Sequence, residues 1–199
     1  MTRLFLFLFC SMLFATSCTK DESISRGTAG DLSWKLAKDG TLVIFGKDIM
    51  PNYLILSDYD TAVEPTSPWY EHRNDITKVI IGNDVSIIGN CAFSECSNLA
   101  TVTIGNSVFS IGKFAFSGCF KLTSITIGNS ITDIGTGVFA RCQSLTEIVN
   151  ERIDPQSINS NVFGDINLTK CTLFVPAGSE KAYRVAEGWK DFGDIKAIK

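Results

Sequence analysis

The side chains able to do chemistry are few in this chain, and their spacing does not gather them. There is one histidine, His72, and a Ser-His-Asp or Cys-His site needs that imidazole as base beside a nucleophile. No GxSxG or comparable nucleophile motif accompanies it, so His72 reads as a loop or cap residue. The carboxylates are scattered singly, and no acid–base pair stands out. Gly-Asn recurs at 82–83, 105–106 and 128–129. These are turn residues by chemistry, and no phosphate-loop pattern follows them. Cys96, Cys119 and Cys142 lie at 23-residue intervals and lack the C-x-x-C spacing of a zinc site. Stacked one rung apart they would approach one another, but parallel Cβ vectors give poor disulfide geometry. Together with Cys91 and Cys171 they read as free thiols acting as small hydrophobes. The expectation is a chain with no catalytic residues, no metal and no cofactor.

What would position such residues is a repeat. Residues 76–146 read ITKVIIGNDVSIIGNCAFSECSNLA, TVTIGNSVFSIGKFAFSGCFKLT and SITIGNSITDIGTGVFARCQSLT. Val79, Val102 and Ile125 are 23 residues apart, as are Phe93, Phe116 and Phe139, and Leu99, Leu122 and Leu145. A fixed period of 20–29 residues with regular apolar positions is the signature of a leucine-rich-repeat solenoid. One such coil is too short to bury its apolar face alone. Stacked, each apolar position forms a ladder along the axis, with coils about 4.8 Å apart. Leu145, Ile148, Ile158, Phe163 and Leu168 keep the rhythm in a degraded fourth coil, where Phe163 arrives one residue late.

The strand of each coil alternates. Val79 and Ile81, Val102 and Ile104, Ile125 and Ile127, and Ile148 point inward. Lys78, Ile80, Thr101, Thr103, Ser124, Thr126, Glu147 and Val149 point outward. This outer face, rich in small hydroxyls, is the candidate binding surface, since solenoid sheets commonly serve that role. The competing reading is that Thr and Ser are simply good solvated strand residues. The face has no aromatic cluster to act as an anchor.

The ends of the chain differ from its middle. Residues 1–17 have a positive start at Arg3 and an apolar run of 11 residues, Leu4 to Phe14. The run is too short for a spanning helix, which needs about 20, and fits a signal peptide. Small residues before Cys18 resemble the bacterial lipobox, which implies cleavage there and lipid attachment to Cys18. The following Thr19, Lys20, Asp21 and Glu22 resemble the export signal of surface lipoproteins in certain Gram-negative anaerobes. A plain secreted protein is the alternative. Residues 18–30 read as the lipidated N-terminus and a polar tether. Residues 31–75 read as an N-terminal cap, with a hairpin turning at Asp39-Gly40 and Tyr53, Leu54, Ile55 and Leu56 anchoring a turn-rich loop. Asp60-Thr61-Ala62 resembles an O-glycosylation site on Thr61. Residues 76–168 are the repeats. Residues 169–199 read as a C-terminal cap: a strand at Leu173 to Val175, a helix from about Glu180 to Glu187 capped by Ser179 and closed by Gly188, and Trp189, Phe192 and Ile195 packing back.

The motif ITIGNSITDIGTGVFARCQSL is similar to the BspA-like leucine-rich repeats (LRR_5 type), whose general form is I-x-I-P-x-x-V-x-x-I-G-x-x-A-F-x-x-C-x-x-L. GDLSWKLAKDGTLVIFG, SPWYEHRNDITKVIIG and LFVPAGSEKAYRVAEGW extend the resemblance to both ends. Glycine stands for the usual proline at 82, 105 and 128, and Val138 for the usual alanine. The resemblance implies a mainly β solenoid of 23-residue coils between a β-hairpin cap and a strand-plus-short-helix cap. It further implies a surface protein for adhesion or recognition of protein or glycan ligands, host extracellular-matrix proteins among them, with no catalytic residues. A structural lipoprotein of a cell-envelope assembly is the alternative. Attachment to the outer membrane would be through the lipid alone. A net charge of −3 with no basic stripe argues against nucleic acid, and 45% hydrophobic residues argue against disorder.

Overall fold

The computed structural model describes residues 23–54 and 66–199. Twelve short strands occur in these residues: β1 (Ser23–Ala29), β2 (Leu32–Ala37), β3 (Thr41–Phe45), β4 (Lys78–Ile81), β5 (Ile87–Ile88), β6 (Thr101–Thr103), β7 (Ser110–Ile111), β8 (Ser124–Ile127), β9 (Asp133–Ile134), β10 (Glu147–Asn150), β11 (Thr172–Val175) and β12 (Asp194–Ala197). The helix α1 is a single turn, Glu180–Tyr183. Successive coils wind a β-solenoid of about five turns. Val79 of β4 sits opposite Val102 of β6, and Ile125 of β8 opposite Ile148 of β10, in parallel register. The second strands of the coils form their own sheet, β5-β7-β9.

Inside, the 23-residue period becomes a column of rings. Trp69, Phe93, Phe116, Phe139 and Phe163 stack at centroid spacings of 5.5, 5.2, 5.9 and 5.7 Å, with planes 9–16° apart. Backbone bonds clamp the column: Phe93 N donates to Ala115 O at 2.8 Å, Phe116 N to Val138 O at 3.0 Å and Phe139 N to Val162 O at 2.9 Å. At both ends the geometry turns edge-on. Trp34 and Tyr53 meet Trp69 at 74° and 73°, and Trp189 and Phe192 meet Phe163 at 67° and 86°. Beside the rings runs the thiol column. Cys119 Sγ donates to Phe93 O at 3.4 Å, Cys142 Sγ to Phe116 O at 3.2 Å and Cys171 Sγ to Leu145 O at 3.0 Å. Cys96, Cys119, Cys142 and Cys171 are free thiols. Burial pushes the Cys96 thiol up to about 12 and raises Cys119 well above the ordinary range.

The caps depart from the sequence reading in four places. Residues 23–29, expected as tether, form β1, antiparallel to β2. Alternating polar residues hid a strand whose partner is the hairpin itself. The hairpin turns at Asp39-Gly40 as expected, with Gly40 at φ 82°. Of the predicted loop anchors, Tyr53 is buried, but Leu54 is half exposed; Ile55 and Leu56 lie outside the described residues. The C-terminal helix stops after one turn, and Ser179 makes no side-chain cap. Residues 184–193 instead turn back so that β12 can extend the sheet beside β11. Phe163 does continue the ring column, despite its one-residue delay.

The sheet of first strands is broken in the middle. Strands β1-β2-β3-β4-β6 form one sheet and β8-β10-β11-β12 another, with no ladder between β6 and β8. Ala100 N donates to Thr77 O at 2.9 Å and Thr146 N to Thr123 O at 3.0 Å, but among the described residues no such bond joins Thr123 to Ala100. The coils meet again at Thr132 N, 2.9 Å from Phe109 O. Val102 and Ile104, expected inside, are therefore only partly buried, because the next rung does not close over them. The glycine column reports the same gap. A Cβ on Gly105 would fall 2.2 Å from Gly82 O, whereas one on Gly128 would meet nothing nearer than Glu151 Oε2 at 3.9 Å.

Five outcomes are expected. Phe116→Ala should lose about 3–5 kcal/mol, as for a large-to-small change in a packed core, measured by denaturant unfolding. Gly105→Ala should cost about 1–3 kcal/mol by overpacking against backbone. Gly128→Ala, at a site without positive φ, should be neutral or gain about 0.4–1 kcal/mol; equal losses at both positions would contradict the gap. The raised thiols set an alkaline slope. Below the ordinary thiol value of 9.0 both folded and unfolded states hold their protons, so stability is flat. Above it the unfolded state ionises first, so stability falls as pH rises towards 12. Alkylation mapped by mass spectrometry should leave Cys96, Cys119, Cys142 and Cys171 unmodified at neutral pH until denaturant is added.

Candidate functional site

Strand alternation and parallel register together decide what the first-strand sheets present. Each inward Val or Ile is held by the ladder beneath it, so its two neighbours must point out. Lys78 lies opposite Thr101 and Ile80 opposite Thr103. Ser124 lies opposite Glu147 and Thr126 opposite Val149. Lys78, Thr101, Thr103, Ser124, Thr126 and Glu147 are exposed, and Ile80 and Val149 are half-buried. The structure thus brings the eight sequence-predicted residues onto two aligned rows, split four and four by the gap between β6 and β8.

The rows run further than the repeats. Lys35 pairs with Val43, and Val43 with Ile80. At the other end Val149 pairs with Phe174, and Phe174 with Lys196. The second row runs from Thr41 through Lys78 and from Glu147 through Thr172 to Asp194. The row through Ile80 and Val149 is therefore aliphatic and aromatic on either side of the two central threonines. Sequence reasoning missed these flanking residues because β3, β11 and β12 stand outside the 23-residue period and join the sheet only through pairing.

At the gap the surface is concave. A cleft of about 230 Å³ is lined by Val102, Thr103, Ile104, Thr126, Gly128 and Glu151, among others. A recess of about 30 Å³ continues from it towards Val108 and Ile131, and a hollow of about 250 Å³ lies beyond Glu151, beside Arg152, Ile153 and Asp154. Glu151 borders all three. Its amide donates to Ile127 O at 3.0 Å, which fixes the residue at the end of β10, while no ion pair among the described residues engages its carboxylate. Arg152, next in the chain, donates instead to Asn129 O at 3.0 Å. No signal in the sequence marks the gap, since coils two and three carry the same repeat.

The residues weighed for chemistry remain apart. His72 Nδ1 lies 3.4 Å from Asp75 Oδ2 in an exposed turn before the first coil, with no hydroxyl or thiol bonded to the ring among the described residues. The column thiols are buried, and burial raises those of Cys96, Cys119 and Cys171, which leaves them unsuited to nucleophilic attack. Among the described residues no group of His, Cys, Asp and Glu is placed to hold a metal ion, and no helix is long and apolar enough to cross a membrane. Cys18, the expected lipid attachment site, and Thr61, the expected glycosylation site, both lie outside the described residues. What the arrangement offers is a long, regular, mixed polar and aliphatic face with a cleft across it between β6 and β8.

Comparison with known proteins agrees with this geometry. No curated protein matches the chain. Among solved structures it is similar to a leucine rich repeat protein of T. pallidum, TpLRR, with a TM-score of 0.52 and 21% identity over 86% of this chain and 82% of that one. It is also similar to the pneumococcal vaccine antigen PcpA, with a TM-score of 0.54 and 14% identity over 89% of this chain and 48% of that one. At these identities the likeness is one of fold. Residues 67–179 match the BspA type leucine rich repeat region in six copies, more than half of the sequence, and the stacked column from Trp69 to Phe163 falls inside that match. The chain belongs to the BspA type leucine rich repeat family.

Proposed function

We propose that this protein is a cell-surface binding module that recognises protein or glycan ligands with its first-strand sheet face. The observation that carries this reading is the alignment of Lys78, Ile80, Thr101, Thr103, Ser124, Thr126, Glu147 and Val149 in two outward rows, continued by Val43 and Phe174. A surface of regularly spaced side chains on a stiff backbone favours recognition, because little conformational freedom is lost on contact. Its family is a repeat family of binding and scaffold type, and the residues that could do chemistry are dispersed or buried.

In this proposal the chain reaches its ligand from the outer membrane. Residues 1–17 direct export and Cys18 carries the lipid. A lipid-anchored cysteine is held by buried methylenes at about 0.8 kcal/mol each. The second reading, a structural lipoprotein within a cell-envelope assembly, uses the same anchor and differs in what the face meets: a fixed neighbour in place of an external ligand.

Both parts are tested in one set of strains. Cells carrying the wild-type chain should capture a ligand from an array of matrix glycoproteins and glycans, and Thr101→Arg with Thr126→Arg should reduce that capture at least about tenfold, since a long cation on the rows blocks close approach. Cys18→Ser should move the protein from the membrane fraction to the soluble fraction. Capture unchanged by the arginines would place recognition elsewhere, and an unshifted Cys18→Ser chain would remove the lipid anchor. Partner recovery only from within the envelope, with no external capture, would favour the scaffold reading.

A further inference from the structure

We infer that the gap between β6 and β8 is an anchor pocket for a single basic side chain, lysine or arginine, of an extended peptide segment in the protein partner. Three features meet there. The floor is aliphatic and open, because Val102 and Ile104 are left partly uncovered. The two strand edges facing the cleft have no ladder between them, so backbone groups of Thr103 and Thr126 border it. At one end stands the Glu151 carboxylate, with no ion-pair partner among the described residues, and Asp154 lines the hollow beyond it.

Size and charge select the occupant. The cleft is about 230 Å³, below the roughly 300–1,000 Å³ of pockets that enclose a drug-sized ligand, so it takes one side chain. A lysine or arginine buries its methylene stem on apolar surface and keeps its charged head at the polar end. Here the stem would lie on Val102 and Ile104 and the head would meet Glu151. An acidic side chain would face a like charge, and a purely aliphatic one would leave the carboxylate unengaged. Arg152 lines the hollow on the far side of Glu151, where its guanidinium donates to Asn129 O at 3.0 Å and makes no ion pair with the carboxylate among the described residues. The glycine column keeps the pocket open. Gly128 forms its wall with nothing within 3.9 Å of a built Cβ, so a larger side chain there fills the cleft without displacing backbone.

The inference rests on the sheet face being the recognition surface, and it is tested without the natural partner. Blocked peptides Thr-Thr-Lys-Thr-Thr, with norleucine or glutamate in place of lysine, are titrated into the ¹⁵N-labelled full chain and followed by amide shifts. The lysine peptide should move Thr103, Ile104, Thr126, Gly128 and Glu151. The norleucine peptide should bind at least about tenfold more weakly, the worth of one charged hydrogen bond, and the glutamate peptide not at all. Glu151→Gln should weaken the lysine peptide by a similar factor, Gly128→Leu should abolish its shifts, and Glu151→Lys should reverse the preference towards glutamate. The reversal keeps the test decisive should Gly128→Leu fail to fold. Equal binding of the three peptides, or no shifts with lysine at millimolar concentration, overturns the pocket. Capture on cells that ignores the sheet-face arginines while the lysine peptide still seats would instead remove the face reading and leave the pocket standing.

Discussion

A coil of 23 residues has no interior of its own, and this one constraint governs the molecule. Each turn supplies one ring, one thiol or its equivalent, and a few aliphatic side chains, all on the same side of a single layer of backbone. They leave water only when the next turn covers them. The ring column from Trp69 to Phe163 is the result: five side chains from five turns, planes within 16° of parallel, each completing the burial of its neighbour. Hydrogen bonds from coil to coil add direction, holding like positions in register while the rings and the aliphatic ladders beside them supply the buried apolar area.

A stack of this kind has two faces that no repeat covers, and the ends resolve that geometrically. At each end the rings turn from parallel to perpendicular: Trp34 and Tyr53 against Trp69, Trp189 and Phe192 against Phe163. An edge-on ring closes a column that a parallel ring would prolong, because the surface it presents outward is no longer a copy of the one it covers. The indole donors complete the closure. Trp69 Nε1 donates to Ala92 O at 2.8 Å and Trp189 Nε1 to Gln156 O at 2.9 Å, so these two tryptophans are tied to the adjoining backbone, while the buried Trp34 Nε1 has no hydrogen-bond partner among the described residues. Antiparallel strands β1 to β3 at one end and the parallel additions β11 and β12 at the other then lengthen the sheet beyond the repeats.

Because the interior is satisfied by repetition, the outer rows are free to vary, and function can be written there. The interior side chains are near copies from turn to turn; the outer ones pass from Lys78 through Thr101 and Ser124 to Glu147. Between β6 and β8 the ladder of first strands is interrupted. The rings still stack there, at the longest spacing in the column, 5.9 Å between Phe116 and Phe139, and the second-strand sheet stays paired through β7 and β9. Only the first strands part, so the solenoid opens on the face that presents its variable residues and stays closed behind it.

Periodicity in the sequence determined the solenoid, the ring and thiol columns, the inward and outward sides of each strand, and the eight residues of the outer face, since a ladder forces equivalent positions onto one line and alternation forces their neighbours out. The delayed Phe163 was legible too, because an aromatic one residue late can still reach its column. Tertiary structure alone decided the rest. Ser23–Ala29 became a strand because the hairpin offered an edge, the helix after Ser179 stopped at one turn because β12 was drawn back to β11, and Val43 and Phe174 joined the face through pairing with strands distant in sequence. The cleft at Gly128 and Glu151 could not be read from residues 101–127, which keep the same glycine and apolar positions as their neighbours. A gap between two coils is a property of how they sit against each other, and a period describes only each coil.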